Sequence, residues 1–120
     1  MQEILEHLLQ HVNQIRLFHW KTSSFARHKA TDKYMHIINP IIDNIIESLQ
    51  GGREKRILDS FSTKYGGLNE DNVMMYLKVY KNWLENHMPI LLDKNETDIM
   101  NLRDELLVAV KRLMYLFTLK

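Results

Sequence analysis

"HKATDKYMHIINPIIDNIIESLQ", residues 28–50, decides the fold. Its apolar residues Tyr34, Ile37, Ile38, Ile41, Ile42, Ile45 and Leu49 recur every three or four positions, the repeat of a helical face rather than the alternation of a strand. At about 100° per residue the isoleucines fall mostly on one side. His28, Asp32, His36, Asn39, Asp43 and Glu47 share an arc about 100° wide on another. Lys29 alone among the basic residues grazes that arc, whereas an ordinary solvated face mixes both signs. Pro40 stands mid-helix, where its missing N–H is expected to kink or interrupt the chain.

Working outward, the same spacing recurs from Ile4 to Phe18, from Val73 to His87 and from Ile99 to Phe117. It predicts four helices, over roughly 2–21, 27–50, 71–88 and 97–118. Gly51-Gly52, Gly66-Gly67 and Pro89 mark the breaks. Asn69 and Asp71 precede the third helix and Asn95 and Thr97 the fourth, all of them N-cap types. The class is all-α, a four-helix bundle formed as a single domain over residues 1–120.

Connections of about six and eight residues make the first and second helices, and the third and fourth, antiparallel neighbours. The middle connection, Gly51 to Glu70, is much longer and is expected to cross from one end of the bundle to the other. Within it, Arg53 to Phe61 is expected to form a short helix, with Ile57, Leu58 and Phe61 covering one face.

Composition narrows the function. Sixteen Lys and Arg against fifteen Asp and Glu exclude a binder driven by bulk electrostatics, so DNA binding is not implied. With no cysteine there is no disulfide framework and no thiolate zinc site. No apolar run reaches the length of a membrane span, and "MQEILEHLLQ" has no secretory pattern. A soluble, cytoplasmic protein is expected. There is no phosphate-binding glycine loop and no nucleophile elbow.

What remains is a ligand set. His28/Asp32 and Asp43/Glu47 are both i,i+4 pairs, and imidazole with carboxylate suits iron, zinc or manganese. His19, near the end of the first helix, lies on its apolar stripe but at the same end of the hairpin as His28. Asp32 and Asp43 are about 16 Å apart along one helix, so a single centre cannot use both pairs from one chain. Two chains packed antiparallel about a two-fold bring one pair against the other and make two equivalent sites. A di-iron centre inside one bundle would need Glu-x-x-His on two helices, and neither Glu47 nor Glu85 begins one. Among the other histidines, His7 and His11 read as a surface pair, with a zinc site as the alternative, and His87 as a core or interface residue. Asp104 and Glu105 suit the start of the fourth helix through its dipole, with a second metal site as the alternative.

His19-Trp20, then His28-x-x-x-Asp32, ten residues, and Asp43-x-x-x-Glu47, resembles the ferroxidase signature of the Dps-type mini-ferritins, within the ferritin-like family. The resemblance covers residues 17–50. It implies a ferritin-like bundle with a short helix in the middle connection, forming homodimers within larger shells. It also implies iron at intersubunit sites, with His19, His28 and Asp32 from one chain and Asp43 and Glu47 from its mate. The activity implied is ferroxidation and iron sequestration. The His19–His28 spacing is shorter than the family's, Pro40 interrupts the pattern, and there is no lysine-rich N-terminal tail. A weaker likeness, through "NLRDELL" at residues 101–107, is to small uncharacterised proteins of large DNA viruses. That likeness brings no known activity. The alternative reading, which the kink expected at Pro40 and the short loop favour, is a non-enzymatic helical structural or interaction subunit, as in a viral particle, located in the host cytoplasm or virion.

Overall fold

The computed structural model describes residues 1–119, which contain four α-helices and no strand. α1 spans Gln2–Lys21, α2 Phe25–Arg53, α3 Val73–Asn82 and α4 Thr97–Phe117. Among the described residues no helix is long and apolar enough to cross a membrane. α2 has 29 residues, about 44 Å at 1.5 Å per residue, and so runs the whole 45 Å length of the molecule.

The helices close into a ring. α2 packs along α1 and α4, and α3 along α4. α1 meets α3 through side chains, with Glu3 against His87, His7 against Trp83 and His11 against Tyr80. Numbers rising on α1 as they fall on α3 make that pair antiparallel. The apolar stripes meet inside, where Ile4, Leu8, Ile15, Phe18, Ile38, Ile45, Leu49, Leu77, Leu84, Ile99 and Leu106 lose nearly all their exposure. Truncating any of these leucines or isoleucines to alanine costs roughly 2–5 kcal/mol.

The middle connection climbs the outside of α1. Leu58 N–H donates to Gln2 Oε1, Gln10 Nε2 to the Lys64 carbonyl, Gly66 N–H to Gln14 Oε1, Lys21 Nζ to the Leu68 carbonyl and Thr22 Oγ to Glu70. Each contact moves further along both segments. α3 therefore starts beside the end of α1, and the helices run up, down, down, up.

The short helix expected over Arg53 to Phe61 does not form: Arg53 is the last residue of α2, and residues 54–61 carry no helix. From Leu58 to Glu70 the chain accompanies α1 from Gln2 to Thr22, which is about 30 Å. That requires about 2.5 Å per residue, more than a helix rises, so the segment is extended. Nor does Gly51-Gly52 end α2, which continues to Arg53 and stops at Glu54 in the left-handed conformation, φ 53°. Arg53 donates to both carboxylate oxygens of Glu96 and to the Leu91 carbonyl, tying that last turn to the start of α4. At the other end Arg27 bonds Glu70 and the Phe117 carbonyl and lies 4.8 Å over the Phe117 ring. One arginine near each end of α2 thus fixes the frame.

Two further expectations change. Pro40 sits exposed within an unbroken α2. The third helix does not continue regularly to residue 88. After Asn82 it widens into a π-turn, Trp83–His87, with Met88 N–H reaching back five residues to the Trp83 carbonyl, and then tightens into a 3-10 turn, Met88–Leu91. The extra residue in the π-turn rotates the side chains on its C-terminal side about the helix axis. His87, expected in the core or at an interface, is not in the core but half exposed, with Nε2 2.9 Å from Glu3.

Candidate metal centre

His19 and His28 face each other across the α1–α2 hairpin, whose turn is fixed by Ser24. Its hydroxyl caps α2 by accepting from Arg27 N–H at 3.2 Å. His19 Nδ1 lies 3.0 Å from the His28 carbonyl and 2.8 Å from Thr31 Oγ1. His28 Nδ1 lies 2.9 Å from the His19 carbonyl. A carbonyl only accepts, so each Nδ1 carries the proton. Buried Thr31 donates its own proton to the Arg27 and His28 carbonyls, which leaves its oxygen to accept from His19.

The two rings stack with centroids 3.9 Å apart and planes 15° from parallel. With Nδ1 committed in both, the lone pair of each neutral ring sits on Nε2. Neither Nε2 has a hydrogen-bond partner among the described residues. A histidine that ligates a metal almost always holds its other nitrogen to a carbonyl or carboxylate, which sets tautomer and ring orientation. Both rings have that support within the chain.

Asp32 is exposed one turn beyond His28, with His36 Nε2 3.9 Å from its carboxylate. Asp43 and Glu47 are exposed on the far half of α2, with no ion pair among the described residues. A single chain does not bring them to the histidines, and among the described residues no three His, Asp or Glu side chains converge to hold a metal. Asp104 is engaged by Arg103 at 2.9 Å.

One polar cluster lies where the sequence pattern predicts surface. His11, expected to be exposed, is 1% exposed. Its Nε2 lies 2.6 Å from Tyr34 Oη and its Nδ1 2.8 Å from Tyr76 Oη, while the Tyr80 ring stacks on it at 3.5 Å. Burial pushes its pKa down to about 3, so the ring is neutral, donating to one tyrosine and accepting from the other. Burial also raises all three tyrosines above their ordinary range. The spacing carries a signal for this burial: His11 lies on the same 4–3–4–3 stripe as Ile4, Leu8, Ile15 and Phe18. His7 stacks on Trp83 at 4.4 Å and does not join His11 in a zinc site.

No curated protein and no solved structure matches the chain. A family model does match, over residues 19–117, a span that begins at His19 and includes all five candidate ligands. The chain belongs to this family, described as a family of unknown function (DUF5856).

Proposed function

We propose that the protein is a ferritin-like, Dps-like metal-binding bundle whose sites form between two copies. His19, His28 and Asp32 of one copy and Asp43 and Glu47 of a second hold iron(II), with zinc and manganese as alternatives. The observation that carries this reading is the reciprocal bonding of His19 and His28, which commits both Nδ1 atoms and leaves both Nε2 atoms without a partner among the described residues, one turn of α2 from the exposed Asp32. The up-down-down-up path with its long crossover supports the ferritin-like kinship. The donor set fits: two nitrogens and three carboxylates suit these metals, and no thiolate is present to favour softer ones.

Iron(II) bound there supplies electrons to peroxide or dioxygen, which is ferroxidation. The chain's part is to hold the rings in one tautomer and to offer carboxylates that balance the added charge. Titration with iron(II) under argon, and separately with zinc(II), tests this. Binding at micromolar metal that disappears in Asp43→Asn/Glu47→Gln and in His28→Gln is expected. Metal uptake unchanged in these variants, or none in the wild type, overturns it.

The second reading, a helical interaction subunit without metal, has Trp20 and Phe25 in its favour, 66% and 73% exposed about the hairpin tip. On that reading, replacing these two rings abolishes assembly and chelators have no effect.

A further inference from the structure

The outward face of α4 carries a pattern that neither the core nor the candidate metal centre uses. Asn101, Glu105, Val108, Arg112 and Tyr115 succeed one another at steps of four and three, the repeat with which one helix meets another. All are exposed, Val108 by 67% and Tyr115 by 62%. Beside them, between α4 and α2, lies an open cavity of about 300 Å³ lined by Ile37, Ile41, Glu105, Val108, Ala109 and Arg112. A second hollow continues it towards Lys33 and Leu116.

The charges on this face are segregated. Glu105 lies on one side of Val108 and Lys111 and Arg112 on the other, with Lys33 of α2 beside Arg112, while Asp104 is already engaged by Arg103 at 2.9 Å. Among the described residues Glu105 and Arg112 form no ion pair. Two turns separate them on one helix, about 10 Å, so neither neutralises the other within the chain.

We infer that a second copy of the chain docks here, α4 against α4 and antiparallel, about a two-fold axis between Val108 and Ala109. Glu105 and Arg112 are equidistant from that axis. The two-fold therefore sets Glu105 of each copy opposite Arg112 of the other, twice, and brings the two exposed Val108 side chains together at the axis. Such a face is its own complement, which is what an isologous interface requires. A different partner would need the same order of acid, apolar and base reversed along a helix, and the copy supplies it. The inference is independent of the metal reading, which uses the other flank of α2. Two distinct two-folds on one chain would extend assembly beyond a dimer.

The test is sedimentation equilibrium in the presence of chelator, from micromolar to millimolar protein. The wild type is expected to dimerise, and Glu105→Arg or Arg112→Glu to weaken the dimer about tenfold each, because two attractions become two repulsions. The double reversal Glu105→Arg/Arg112→Glu is expected to restore it. Because the chain has no cysteine, Val108→Cys gives a second readout, a symmetric disulfide dimer under mild oxidant. A chain that stays monomeric in chelator, a double reversal as weak as the single ones, or cross-linking through His36→Cys but not Val108→Cys overturns the inference. None of these results touches the metal reading, which stands or falls on metal uptake with α4 unaltered.

Discussion

His19 and His28 each donate Nδ1–H to the other's main-chain carbonyl, at 3.0 and 2.9 Å, so the two rings orient one another across nine residues of chain. Removing one ring takes away the stacking surface of the other but keeps the main-chain carbonyl to which that other ring donates. Thr31, buried beneath them and 2.8 Å from His19 Nδ1, is the third member. Thr31→Val keeps the shape and removes the acceptor. It should lower metal affinity roughly 10-fold, within the range for groups that position ligands, while the unfolding transition stays cooperative. Affinity equal to wild type would mean that His28 alone orients His19.

Tyr34 and Tyr80 are expected to respond to loss of the hydroxyl with opposite signs. Tyr34→Phe removes a 2.6 Å bond to buried His11 and should cost about 1–2 kcal/mol. The Tyr80 hydroxyl is buried without a partner, so Tyr80→Phe relieves a desolvated group and should be neutral or stabilising by about 1 kcal/mol. Urea denaturation of the two variants measures both.

Acid should weaken the fold through His11. Its folded pKa is about 3, below the ordinary value of about 6.5. Between those limits the unfolded chain binds a proton that the folded chain refuses. The contribution is complete above pH 6.5 and is lost at up to about 1.4 kcal/mol per pH unit as pH falls towards 3. His11→Leu strands two tyrosine hydroxyls and should cost roughly 2–4 kcal/mol at neutral pH. The stability gap between it and the wild type should narrow steadily from pH 6.5 to 4, and a constant gap would contradict this account.

Pro40 should be a stability defect. It is exposed and deletes one hydrogen bond inside α2, so Pro40→Ala should raise stability by about 1–3 kcal/mol in thermal or urea unfolding.

The Arg53–Glu96 pair holds α2 to α4 through two short bonds, and Glu96 Oε1 also accepts from Asp93 N–H. Its contact with Arg53 holds the Glu96 carboxyl below its usual pKa. The stability it adds is therefore present at neutral pH and lost as pH falls through the folded value. Glu96→Ala should cost about 2–3 kcal/mol and speed amide exchange in the last turn of α2.

Periodicity made the helices and the long crossover legible, because each helix buries a stripe whose spacing is written in the chain. The extended form of residues 55–69 was not legible in the same way. Ile57, Leu58 and Phe61 fit a helical face, but the distance to be covered along α1 decided the conformation. The end of α2 was hidden for a related reason: glycines permit a break, while Arg53 bonded to Glu96 prevents it. The π-turn left no trace in the pattern, and it turned His87 outwards. At the candidate site, the helices that carry the five proposed ligands were legible. The Nδ1–carbonyl exchange was not, because it depends on how closely two helix ends approach.

The most direct test of the intersubunit site is complementation between two chains, each unable to build a site alone. One carries His28→Gln/Asp32→Asn and the other Asp43→Asn/Glu47→Gln. Mixed and allowed to exchange subunits, half of the dimers are heterodimers, each with one intact site of two, so metal capacity should return to about a quarter of the wild-type value. No recovery, under conditions where subunit exchange is demonstrated by mass, would contradict a site shared between copies.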